Sequence, residues 1–230
     1  MNRFFLNDLV NIFFPNLCLA CGKRYLHSGD LLCFICQRQL PETRMHLNPE
    51  NQFTDRFWGR VWLQGGAAMY VFQKGGYVQQ LIHQLKYQNK PHIGLYLGEK
   101  YGRELKKSVI FNAVDLIIPV PIHPIKERKR GYNQSHQFAM GLSRSMKIPF
   151  CRHGLIKTTH GGSQTDKGRE ERYQGLLNSF KVGETKSLEG KHILIVDDVL
   201  TTGATLEACA NKILEISNTS ISMVTIAIST

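Results

Sequence analysis

A chain of 230 residues, 42% of them hydrophobic, can bury the core of one large domain, or of a domain with a small appendage, and is not a disordered chain. Its net charge of +11, from 29 basic against 18 acidic residues, favours a polyphosphate, a nucleic acid or an anionic surface as partner, unless it only solubilises the surface. No apolar run approaches the ~18 residues of a spanning helix, so no membrane span is expected.

At the N-terminus Phe5, Leu6, Leu9, Val10, Phe13 and Phe14 recur at helical spacing, and Pro15 closes the segment. Asn7, Asp8 and Asn11 interrupt the apolar residues and no small-residue cleavage site follows, which argues against a signal peptide. An amphipathic helix packed on the body is expected. Peripheral membrane contact is the weaker alternative, because the polar face has almost no Lys or Arg. The expected location is cytoplasmic.

Next come Cys18, Cys21, Cys33 and Cys36, two C-x-x-C pairs with eleven residues between them. A two-residue gap lets both thiolates of a pair reach one ion, and two pairs complete the tetrahedral site of a structural Zn²⁺. Two disulfides or a redox pair are the alternatives. A cytosolic setting disfavours the first, and the position outside a βαβ unit disfavours the second. Cys151 and Cys209 read as core residues. Residues 1–45 are therefore read as helix plus zinc-ribbon-like module, and 46–230 as the main domain.

Residues 46–60 are polar and read as a linker. Residues 61–73 read as extended, as two strands around Gly65 and Gly66. Helices are expected over 77–87, where Val78, Leu81, Ile82 and Leu85 share a face, and over about 93–107. From Asp115 strands alternate with helices: DLIIPVPI, GYNQSHQFAMGLSRSM, HILIV, a helix from Gly203, then SISMVTIAI. That order predicts an α/β fold with a parallel sheet covered on both faces, and ligands at the carboxyl ends of its strands.

Two segments lie at such ends. In the first, Lys126, Arg128, Lys129 and Arg130 precede Gly131 and the start of a helix, a setting that suits a diphosphate. A solvated basic loop or a nucleic-acid contact would look the same. In the second, ILIVDDVLTTGAT, a buried strand is followed by Asp197 and Asp198, and then by Leu200, Thr201, Thr202, Gly203, Ala204 and Thr205 before a helix. Strand, turn and helix aim backbone N–H groups and a helix dipole at an anion. The carboxylates fit there only if they face sugar hydroxyls or a hydrated Mg²⁺. A strand running into a capped helix is the plain alternative. Between the two segments, residues 160–180 are glycine-rich and charged. They read as a flap with Arg169 or Arg172 reaching a leaving group, or as an ordinary surface loop.

The VDDVLTTGAT segment resembles the binding signature of the type I phosphoribosyltransferases. The resemblance implies that Asp197 and Asp198 take the ribose hydroxyls of phosphoribosyl pyrophosphate and that residues 200–205 cradle its 5′-phosphate. It further implies that residues 126–130 bind the pyrophosphate with Mg²⁺, and that Asp197, Asp198 and Arg128 are the catalytic residues. The paired C-x-x-C motifs, LIHQLKY, PVP…RKRGYNQS, the QT…R segment and VDDVLTTGAT, in that order, resemble the ComF family of bacterial DNA uptake over essentially the whole chain. The family usually has Asn where Gly175 stands and Leu where Lys167 stands. The resemblance implies a phosphoribosyltransferase-type protein of natural transformation with an unnamed acceptor. The alternative is a non-catalytic single-stranded-DNA-binding protein whose sugar-phosphate site is a sensor or relic. Phe53, Phe57, Trp58, Trp62 and Tyr70, near Arg56 and Arg60, are its stacking candidates, though aromatics at such spacing also build cores.

Overall fold

A computed structural model of the chain describes residues 16–26, 30–158, 175, 179–183 and 188–229. The N-terminal helix expected over 5–14 and almost all of the 160–180 segment, with Arg169 and Arg172, lie outside the described residues.

The sheet is built around the apolar run noted above. Strand β5 (His192–Leu200) buries every residue from Ile193 to Val196, and β6 (Ser220–Ser229) runs parallel beside it. β1 (Gly65–Phe72) pairs with the far side of β6, and β2 (Leu116–Pro119) with the far side of β5, giving the all-parallel order β1-β6-β5-β2. Continuous apolar strands suit such a doubly covered sheet. Residues 61–73 thus form one strand, preceded by an irregular stretch, in place of the two expected. Gly65 and Gly66 do not split it; they open it, where a Cβ would meet Ile110 at 2.2 Å and Phe53 at 2.5 Å.

The end of β2 shapes the site. Pairing between β2 and β5 stops at Pro119 opposite Val196, whereas β5 stays paired to β6 as far as Leu200 opposite Ile228. Asp197 is therefore the first residue of β5 without a β2 neighbour. A crevice opens there, at the carboxyl ends of the strands.

After the short α1 (Phe34–Gln39) of the cysteine module, helices cover both faces of the sheet. One layer holds α3 (Tyr77–Tyr87), α4 (His92–Leu105) and α6 (Gln134–Met146), packed on Leu194, Val196, Val224 and Ile226. The other holds α2 (Gln52–Asp55), α7 (Ala204–Leu214) and the antiparallel pair β3 (Leu155–Lys157) and β4 (Phe180–Val182), packed on Ile193, Ile195, Ile221 and Met223. The closest helix pair is α4 against α6. A Cβ on Gly98 would stand 2.2 Å from the Phe138 carbonyl, and one on Gly141 2.2 Å from the Leu95 carbonyl. Both obstacles are backbone, so Gly98→Ala should force the helices apart. We expect a loss of about 3 kcal/mol in urea unfolding.

Two expectations are corrected. Residues 46–60 are not a linker. Asn51 accepts from the Phe53 and Thr54 N–H groups in a capping box that starts α2, and Phe53 and Phe57 are buried in the second core. The basic segment is not a loop either. It forms α5 (Pro124–Arg130), with Pro124 in its first turn, an Ile125 N–H donating to the His123 ring, and Gly131 ending it at φ 85°.

Candidate functional site

The turn after β5 is held from below. The Arg56 guanidinium donates to the carbonyls of Thr201 and Ser229, and so ties the turn to the end of β6. Gly203 has φ 83°, and a Cβ there would press on the Phe57 ring at 3.1 Å, so both backbone and space require glycine. Thr201 and Thr202 are exposed, and α7 begins at Ala204, whose N–H donates to the Thr202 hydroxyl at 3.4 Å, while Gly203 offers no side chain to cap the N–H groups that follow. Glu207, in the first turn of α7, is buried and ion-paired to Arg60 at 2.7 Å, which offsets its charge at the helix end where an anion would sit. Asp197 and residues 199–206 line a cavity of about 40 Å³ at this turn.

Successive side chains of a strand diverge, and the two carboxylates take different neighbours. Asp197 Oδ1 accepts from the Ser135 hydroxyl at 2.7 Å and from the Asp198 N–H at 2.8 Å. Burial, and then the Asp198 charge, push its carboxyl up to about 7. Asp198 does not line the loop cavity. It is 5% exposed, and its Oδ2 lies 2.8 Å from Lys86 Nζ at the end of α3.

None of the four basic residues lines that cavity. Lys126, Arg128 and Lys129 are exposed on α5. The Arg130 guanidinium lies 5.6 Å from the Tyr87 ring centroid and donates to the Gln134 side chain. Between α5, the start of α6 and β3 there is a second hollow of about 120 Å³. Asn133, His136, His153 and Lys157 line part of it, together with Arg152 and Glu127, which are ion-paired at 3.2 Å. Lys157 is half-buried; burial lowers its pKa, Lys126 lowers it further and the Asp197 charge opposes this. Sequence reasoning missed Lys86, Ser135 and Lys157. Ser135 sits inside the YNQS motif and was the one within reach. Lys86 lies in the LIHQLKY motif and Lys157 in none, and only the fold brings them near Asp198 and Asp197.

The four N-terminal cysteines converge. Their Sγ atoms all lie within 4.8 Å of one another, and none is in a disulfide. Gly22, at φ 66°, turns the chain after the first pair, and its N–H donates to the Cys18 carbonyl. The Cys33 N–H points at Cys18 Sγ at 3.3 Å, as backbone donors do toward metal-bound thiolates, and the Lys23 N–H lowers the Cys21 thiol to about 7. The cluster fits a metal ion with four sulfur ligands. Cys18, Cys33 and Cys36 belong to the same buried cluster as Tyr70, Leu81 and Leu97. The Gln84 side chain donates to the Leu19 carbonyl, which seats this module on α3. Among the described residues, no helix is long and apolar enough to cross a membrane.

Comparison with known proteins follows this architecture. Residues 133–228, from the start of α6 almost to the end of β6, match the phosphoribosyl transferase domain. Competence protein F of Haemophilus influenzae is 29% identical over 206 residues, covering 84% of this chain and 89% of that protein. DNA utilization protein YhgH of Shigella flexneri is 30% identical over 217 residues, covering 87% and 91%. Competence protein ComFC of Bacillus subtilis is 36% identical over 102 residues, 44% of this chain and 38% of that one. With near-full-length relatives of this kind, a parallel sheet ending in VDDVLTTGAT and four convergent cysteines, the chain belongs to the ComF family of competence and DNA utilization proteins and carries a phosphoribosyl transferase domain.

Proposed function

We propose that this protein binds phosphoribosyl pyrophosphate with Mg²⁺ and transfers its phosphoribosyl group to an acceptor in the handling of imported DNA. The observation that carries this reading is the Asp197 cavity, in which a carboxylate shares one hollow with a glycine-capped helix N-terminus and a hydroxyl-bearing turn. The N–H groups at the start of α7, with the Thr201, Thr202 and Thr205 hydroxyls, hold the 5′-phosphate. Asp197 and Asp198 accept from the ribose hydroxyls. The cations at Lys126, Arg128, Lys129 and Arg130 draw the diphosphate to the open end of the crevice, with Lys157 nearer the ribose. In the transfer the bond from ribose C1 to the diphosphate oxygen breaks, the acceptor's electron pair bonds C1, and pyrophosphate leaves with the bonding electrons. Arg128 and its neighbours stabilise the charge that develops on it. Mg²⁺, when bound with the substrate, supplies further neutralisation of the diphosphate. The four-thiolate set suits Zn²⁺, in a structural role because all four positions would be protein ligands.

The test is pyrophosphate release from phosphoribosyl pyrophosphate with nucleobases, amines and single-stranded DNA as acceptors. Release above the acceptor-free rate with one class is expected. Binding of the donor without release from any class would leave a sensor and refute the transferase reading.

One observation favours the second reading, a single-stranded-DNA-binding protein. Phe53, Phe57 and Tyr70 are core residues, which removes them as stacking candidates, but Trp58 and Trp62 are 83% and 80% exposed beside a groove of about 810 Å³. On this reading Trp58→Ala with Trp62→Ala weakens single-strand binding that also falls steeply with salt.

A further inference from the structure

The last turn of α3 is held from three directions. Lys86 Nζ lies 2.8 Å from Asp198 Oδ2 at the end of β5. The Tyr132 hydroxyl donates to the Leu85 carbonyl, and the Tyr87 ring packs 5.6 Å from the Arg130 guanidinium at the end of α5. This turn thus stands between the acidic strand end and the basic helix, the two charged halves of the crevice.

We propose that Lys86 is a binding residue of the donor site: its ammonium is the counter-ion of Asp198 and meets the diphosphate carried on C1 of the ribose. The inference rests on the phosphoribosyl pyrophosphate reading above. The Asp198 side chain is 8% exposed and that of Lys86 23%, so the carboxylate is inside and the ammonium stands at the mouth. A carboxylate buried this deeply needs a cation, and no other ion pair to Asp198 exists among the described residues. The diphosphate is carried on the ring carbon next to the one bearing the 2′-hydroxyl, so a ribose held by Asp198 brings it within reach of a flexible lysine paired to that carboxylate. A compact ammonium on a flexible stem, already at the site, can serve both groups as a point charge.

The test uses the full chain, with Lys86→Gln and Lys86→Arg, titrated calorimetrically with Mg²⁺-phosphoribosyl pyrophosphate and with ribose 5-phosphate. The second ligand has the ring and the 5′-phosphate but no diphosphate. Lys86→Gln should weaken the first by about tenfold or more and leave the second within about threefold, while Lys86→Arg stays near the parent for both. An unchanged affinity for the first ligand, or equal weakening of both, overturns the proposal. The second result would mean that Lys86 only props up Asp198. Absence of donor binding by the parent is a separate outcome that overturns the phosphoribosyl reading together with this one. If the glutamine variant does not fold, acetylation of Lys86 in the parent decides. Mg²⁺-phosphoribosyl pyrophosphate should slow it and ribose 5-phosphate should not; no difference overturns the proposal.

Discussion

Removing the metal from the four-cysteine cluster is expected to lower the melting temperature by more than about 10 °C, the largest single effect on this protein. Four cysteine Sγ atoms within 4.8 Å of one another, none of them in a disulfide, are placed to share one ion. Structural zinc contributes about 10–16 kcal/mol in small peptides, against a total stability of only about 5–15 kcal/mol for a folded protein. Even a fraction of that is decisive here, because Cys18, Cys33 and Cys36 are buried with Tyr70, Leu81 and Leu97 in one core. Metal analysis of the purified protein should give about one zinc per chain. Cys36→Ser should reproduce the effect of chelation and Cys151→Ser should not. The module seats α3, so metal loss should also weaken the donor site. A metal-free protein with an unchanged melting temperature would refute the structural role.

The second large effect is on the ligand. Asp197→Asn with Asp198→Asn is expected to weaken Mg²⁺-phosphoribosyl pyrophosphate by more than about 100-fold, since each hydrogen bond to a charged group contributes about 1.5–3 kcal/mol. A ligand at a hundred times its dissociation constant adds about 2.7 kcal/mol of stability, or a shift of roughly 5–10 °C for a protein of this size. The parent should show that shift and the double variant should lose it. An equal shift in both would remove the acid pair from the site. Affinity should also depend on pH. Burial and Asp198 raise the Asp197 carboxyl from 3.8 to about 7, and only the ionised form accepts from both ribose hydroxyls. Binding should therefore weaken by about tenfold from pH 8 to pH 6. The stability of the free protein carries the opposite sign. Folded Asp197 holds its proton more tightly than the unfolded chain does, so its contribution is fully present below about pH 4 and is lost as pH rises through about 7.

Much of the scaffold is legible in the sequence because its signals are local. The face of Val78, Leu81, Ile82 and Leu85 predicts the helix over 77–87, and α3 occupies those residues. The apolar runs before Pro119 and Asp197 predict parallel strands, and the paired cysteines predict one cluster. What escaped the sequence is tertiary. Residues 46–60 look like a linker because their composition is polar, yet two phenylalanines four apart anchor a short capped helix beneath the turn after β5. Phe57 and Trp58 are neighbours of the same chemical type, and one is 1% exposed while the other is 83%. Asp197 and Asp198 read as one unit, but the strand gives them different partners, and the partner of Asp198 is a lysine far earlier in the chain.

The proposed function puts phosphoribosyl pyrophosphate on the turn after β5. Crystals of the protein grown with that compound and Mg²⁺ test it most directly. One donor molecule is expected with its 5′-phosphate on residues 201–205, its ribose hydroxyls on Asp197 and Asp198, and its diphosphate toward residues 126–130 and Lys86. A donor seated away from residues 197–205, or an empty turn in crystals saturated with it, would refute this placement.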